Sequence, residues 1–129
     1  MNIIDSIFKL LRIRESDENI FLLLEKSKED YLIIIKNIEE ILREGKNNAQ
    51  ANVVEKISEI LIEKDFPKFK KEINSVDMWG GSGAVWEVYF HNENLQRKFN
   101  NQMLKLIDLM ERTKIIGRGI KPLKKLFRR

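Results

Sequence analysis

Residues with reactive side chains are sparse in this chain and do not converge by any motif. The one histidine, His91, stands between Phe90 and Asn92-Glu93. Metal centres need several His, Cys or carboxylate ligands together, so His91 reads as a residue at a helix start rather than a ligand or an acid–base catalyst. Glu40 and Glu44 share a helix face at i, i+4, as the carboxylates of a di-metal bundle site would. No second stretch supplies the Glu-x-x-His that such a site also needs, and a solvated helix face is the simpler reading. Ser82 has no base placed by any motif, which argues against nucleophilic catalysis. Cysteine is absent, so thiolate nucleophiles, thiolate metal sites and disulfides are all excluded, and a reducing compartment fits. The expectation is a protein that is not an enzyme and carries no cofactor.

Two stretches hold what remains. The first is Trp79-Gly80-Gly81-Ser82-Gly83-Ala84-Val85-Trp86, which contains both tryptophans and three of the six glycines. Three glycines in four residues break a helix, because Gly loses the most backbone freedom on ordering. A glycine-rich loop can cradle phosphate through its amides, but this one lacks the Lys-Ser/Thr of a P-loop and the GxGxxG spacing of a dinucleotide fold. Two readings stay open. Both indoles fill the core beside a tight turn, or an exposed Trp79 or Trp86 anchors a protein partner. Trp79, Gly80, Gly81, Ser82, Gly83 and Trp86 are therefore the candidate hub, whether for recognition or for structure.

The second stretch is the C-terminal tail. Residues 1–113 carry 17 basic and 20 acidic side chains, a net of −3, whereas residues 114–129 carry seven basic and no acidic ones. The overall charge of +4 is therefore a property of the tail. Arg118, Lys121, Lys124, Lys125, Arg128 and Arg129, interleaved with Leu123, Leu126 and Phe127, are candidates for phosphate contacts with nucleic acid. An anionic membrane surface, or docking of the tail on the acidic body, are the alternatives. No helix-turn-helix, zinc-finger or RNA-recognition signature accompanies them, so any nucleic-acid binding would be directed at the backbone and sensitive to salt.

The elements that position these stretches follow from hydrophobic periodicity. At 129 residues, 43% hydrophobic and 34% charged, the chain suits one domain of amphipathic helices that buries roughly two-thirds of its unfolded surface. No apolar run approaches the roughly 18 residues of a membrane span. The opening Met1-Asn2-Ile3-Ile4-Asp5 has no signal-peptide pattern, and a cytoplasmic location is expected. Ile3, Ile4, Ile7, Phe8 and Leu11 outline a short amphipathic helix that packs on the body or meets a membrane surface or partner. From Asp17, whose carboxylate can cap a helix, to Glu44 the pattern is helical. Ser27-Lys28-Glu29-Asp30 has the capping-box form and favours a split into two helices there over a single helix of nearly thirty residues.

Leu32-Ile33-Ile34-Ile35 is apolar on every side and predicts the most buried helical turn, with Gly45 as the terminating C′ residue. A helix follows from about Ala49 to Lys64, with Val53, Ile57, Ile60 and Leu61 inward, until Asp65-Phe66-Pro67 stops it. One or two turns over Lys68–Ile73 would place Phe66, Phe69 and Ile73 inward. Ala84–Phe90 has strand-like composition but no partner strand; a helix nucleated after Ser82 is favoured over an extended segment. Asn92 or Asn94 caps the last long helix, Glu93 to Arg112, whose stripe is Leu95, Phe99, Met103, Leu106 and Met110. Pro122 opens a short tail helix. The expected fold is an all-α, single-domain bundle of about five helices over residues 1–113, with the Gly-rich loop before the last long helix and residues 114–129 as a basic tail.

The motif Asp77-Met78-Trp79-Gly80-Gly81-Ser82-Gly83-Ala84-Val85-Trp86 resembles the centre of a family of small bacterial proteins of unknown function. Those have two or three amphipathic helices, a Gly-Gly-x-Gly turn, an apolar segment and an Asn-rich start to a long final helix. Asn92, Asn94, Asn100 and Asn101 fit the last feature, and the likeness spans about residues 20–112. The resemblance implies an immunity or accessory component of a bacterial toxin system. The function expected is thus protein–protein interaction that masks a toxin or effector, with nucleic-acid association through the tail as the alternative.

Overall fold

A computed structural model describes residues 3–128, with side chains described from Asp17 to Arg128. Helix α1 runs from Ile3 to Glu44 without interruption, 42 residues or roughly 60 Å at 1.5 Å per residue. The helix break expected at Ser27 does not form. A cap contributes about 1 kcal/mol, whereas ending a helix orphans backbone groups on both sides of the break, and no Gly or Pro between residues 3 and 44 compels one. The inward packing expected of Ile3, Ile4, Ile7, Phe8 and Leu11 lies outside the described side chains.

Helix α2 spans Asn48–Ile62 and α3 spans Phe66–Ile73, with Pro67 in its first turn and the Asp65 carboxylate accepting from the Lys68 N–H. A single turn, α4, covers Val76–Trp79. Helix α5 spans Glu93–Arg112, and its cap is Asn92, which accepts from the N–H groups of Asn94 and Leu95. All five stripe positions of α5 are buried. The all-α bundle is the observed architecture, and the described residues contain no strand. One contiguous core joins α1, α2, α3 and α5, in which Tyr31 meets Phe69 edge-on at 5.1 Å.

Three departures from the sequence expectations have local causes. Within Leu32–Ile35 only Ile34 and Ile35 are buried, and Ile33 is 60% exposed. A helix in a small bundle turns one side to solvent whatever it carries there. Ala84–Phe90 is neither a helix nor a plain extended segment. It makes one 3-10 turn at Val85–Glu87 and then runs irregularly, with Val85 and Phe90 buried. Finally, Gly45 is not the left-handed residue that ends α1. Lys46 takes that conformation, at φ 62°, as Lys64 and Lys114 do after α2 and α5. At each end the next two N–H groups fold back on the last turn, as Asn47 does on Leu42 and Lys46 on Arg43. Gly45 serves close packing instead, since a Cβ there would meet the Phe90 ring at 2.5 Å.

A buried polar pair fixes α1 against the end of α5. The Thr113 hydroxyl donates to the Leu109 carbonyl at 2.8 Å, so its oxygen accepts from the Tyr31 hydroxyl at 2.6 Å. Burial holds the Tyr31 phenol well above its ordinary range. Thr113→Val should cost about 1–3 kcal/mol, because it strands the Tyr31 O–H. Tyr31→Phe should cost only about 1 kcal/mol, since Thr113 keeps Leu109, and the double variant should be milder than Thr113→Val alone. Above about pH 10 the unfolded phenol ionises while the folded one stays neutral. Stability present below that pH should therefore fall as pH rises, and Tyr31→Phe should lack this loss. Urea denaturation of the three variants from pH 7 to 11 checks both; Tyr31→Phe as the costlier single change would contradict the assignment of donor and acceptor.

Candidate functional site

The Trp-Gly stretch is built as a base and a tip. Helix α4 ends at Gly80, whose N–H donates to the Val76 carbonyl at 2.7 Å. The Trp79 indole N–H donates to the Ile73 carbonyl, left open at the end of α3, and the Trp86 indole N–H donates to the Gly80 carbonyl, both at 2.7 Å. Beneath them Met78, Ala84 and Val85 are buried. Both tryptophans are half-buried, so the outcome lies between the core and the exposed reading. With each N–H committed inside the chain, the open part of each ring offers only apolar surface.

The tip is Gly81-Ser82-Gly83, all three residues exposed. The Ala84 N–H closes it onto the Gly81 carbonyl at 3.0 Å, and Gln50 on α2 donates to the Gly83 carbonyl at 3.1 Å. Its glycines differ in what the fold asks of them. Gly80 is required, because a Cβ there would stand 2.6 Å from the Val76 carbonyl oxygen. Gly83 is required by its φ of +88°. Gly81 has a negative φ, and a Cβ on it would meet nothing within 4 Å. Beside this tip Val76 is 76% exposed, an apolar neighbour that sequence periodicity did not single out.

The tail is docked on the body. Ile115, Ile120 and Phe127 are buried, and Phe127 packs edge-on against Phe99 at 6.3 Å. A 3-10 turn at Lys121–Leu123 leads into α6, Lys124–Phe127. Lys124, offered above as a phosphate ligand, pairs instead with Asp108 and Glu111 of α5. Its side chain is 16% exposed, and those carboxylates hold it protonated above its ordinary range. Arg118, Lys121, Lys125 and Arg128 remain exposed; Arg129 lies outside the described residues. The residue that fixes the tail is Asn74, at the C-terminal end of α3. Its amide donates to the carbonyls of Lys70 and Ile115 and its oxygen accepts from the Gly117 N–H, each at 2.8 Å. No local sequence signal links position 74 to positions 115–117.

The other candidates stay apart. His91 is exposed and stacks edge-on against Tyr89. Glu40 and Glu44 are exposed and line a surface hollow with Lys98. Among the described residues no group of three or more His, Asp or Glu side chains is placed to hold a metal ion. No helix among them is long and apolar enough to cross a membrane. No family model, curated protein or solved structure matches the chain.

Proposed function

We propose that this chain is a non-catalytic protein-binding protein that masks a partner, with the Trp79–Trp86 turn as its recognition site. The observation that carries this reading is Gly81. Its fold neither bends the backbone there into a glycine conformation nor crowds the missing Cβ, yet the position is glycine at the exposed tip of a firmly built turn. A bare backbone at such a tip admits close approach by another chain. Val76 and the open ring surfaces of Trp79 and Trp86 supply the apolar anchors found at the centres of protein interfaces. The motif's resemblance to a family of small bacterial proteins of unknown function, for which an immunity or accessory role is implied, favours a toxin or effector as the masked partner, with masking in the cytoplasm.

The test is capture on the tagged full chain from its host, with and without nuclease. One stoichiometric protein that survives nuclease, and is lost from a Gly81→Arg variant, is the expected result. Capture that is indifferent to Gly81→Arg, or that vanishes with nuclease, would count against the turn as the recognition site.

A further inference from the structure

Residues far apart in sequence meet at Asn74, and what they bring is positive charge. Because Asn74 bonds Lys70 on one side and Ile115 and Gly117 on the other, the last turn of α3 lies against the start of the tail. Lys70 and Lys71 flank this clamp from α3, and Lys114 and Arg118 flank it from the tail. Lys71, Lys114 and Arg118 are exposed, and Lys70 is half-buried. None of the four makes an ion pair among the described residues. The acidic groups of neighbouring α5 are turned to other cations: Asp108 and Glu111 hold Lys124, and Glu111 also stands 3.9 Å from Lys121. Glu72, half-buried in α3, is the acidic residue nearest in sequence to the α3 lysines. From the clamp the charge continues along the tail to Lys121, Lys125 and Arg128, which line one surface hollow.

We propose that this composite surface, with α3 and the tail joined at Asn74, binds the phosphate backbone of duplex nucleic acid. It is distinct from the Trp79–Trp86 turn and does not depend on that turn's function. Unpaired cations on two adjoining segments suit a polyanion whose charges repeat every few ångströms, and neutralising them releases counterions. Among the described residues neither α3 nor the tail exposes an aromatic side chain, Phe66 being half-buried and Phe69 and Phe127 buried, so no stacking platform for single-stranded bases accompanies the charge. Recognition is therefore of the duplex backbone without sequence preference.

The experiment is fluorescence anisotropy of a labelled 20-base-pair duplex with the purified full chain. Engagement of about four phosphates predicts that affinity falls on the order of 100-fold between 50 and 200 mM salt. Lys71→Glu on α3 and Arg118→Glu on the tail, both at exposed positions, should each weaken binding about tenfold or more at 50 mM salt, with unchanged circular dichroism. Weakening by Arg118→Glu alone would overturn the composite site in favour of the tail by itself. Absence of binding at 50 mM salt, or tighter binding to vesicles containing 30% phosphatidylserine than to the duplex, would overturn the nucleic-acid assignment.

Discussion

Replacing Phe99 with alanine should cost about 3–5 kcal/mol, a large part of the 5–15 kcal/mol typical of a domain. Phe99 is fully buried on α5. Its ring centroid lies 5.1 Å from Phe90 and 6.3 Å from Phe127. Those two neighbours belong to the irregular segment after the turn and to the tail, neither of which has ladder or helix bonding enough to hold itself down. Truncating Phe99 therefore leaves a cavity and also loosens two segments at once. Urea denaturation should show the loss, and hydrogen exchange should show residues 88–90 and 124–127 opening ahead of α1 and α2. A cost below about 1 kcal/mol would mean that these segments are held by something other than the aromatic contacts.

The second large effect separates two adjacent glycines. Gly80→Ala puts a methyl group against Val76, both its side chain and its backbone oxygen. The oxygen belongs to the carbonyl of the first residue of α4, which accepts the Gly80 N–H, so relief requires the backbone to move. That movement also disturbs the Gly80 carbonyl that receives the Trp86 N–H. Overpacking of this kind costs about 1–3 kcal/mol, and a weakened, partly buried hydrogen bond adds up to about 1 kcal/mol. Gly81→Ala should leave stability unchanged or raise it by up to about 1 kcal/mol, because it restricts only the unfolded chain. Thermal melts of the two variants side by side make the comparison. Equal destabilisation would remove the reason for assigning Gly81 a role outside the fold.

Helix α5 was legible in the sequence because its signals agree. Asn92 or Asn94 marks the cap within two residues, the structure choosing Asn92, and Leu95 through Met110 repeat at one period. The hub was legible only in part. Clustered glycines beside two tryptophans mark a turn, but burial of an indole depends on what folds over it. Here Ile73 and Gly80 supply the carbonyls, and neither could be chosen in advance. At Ser27 a local cap motif was present but outweighed by the cost of opening the helix. Gly45 had a helix-ending pattern around it, yet its reason is Phe90, 45 residues away. The charge of the tail was plain from composition, whereas its docking rests on Asn74 and on Asp108 and Glu111, which are long-range pairings that no periodicity encodes. Sequence therefore showed where the chain turns and which faces are apolar. Side-chain contacts between distant segments decided which cations and which tryptophan edges stay open.

The most direct measurement titrates the captured partner against the wild-type chain, Gly81→Arg and Lys125→Glu, following binding by calorimetry. Gly81→Arg keeps the fold, because the position has open space, but places a long cation where a partner must approach. Loss of a central interface contact of at least about 2 kcal/mol corresponds to roughly 30-fold weaker binding. A partner-facing tip predicts that loss for Gly81→Arg and an unchanged affinity for Lys125→Glu. Unchanged affinity for Gly81→Arg would contradict it and leave the Trp79–Trp86 turn a structural device alone.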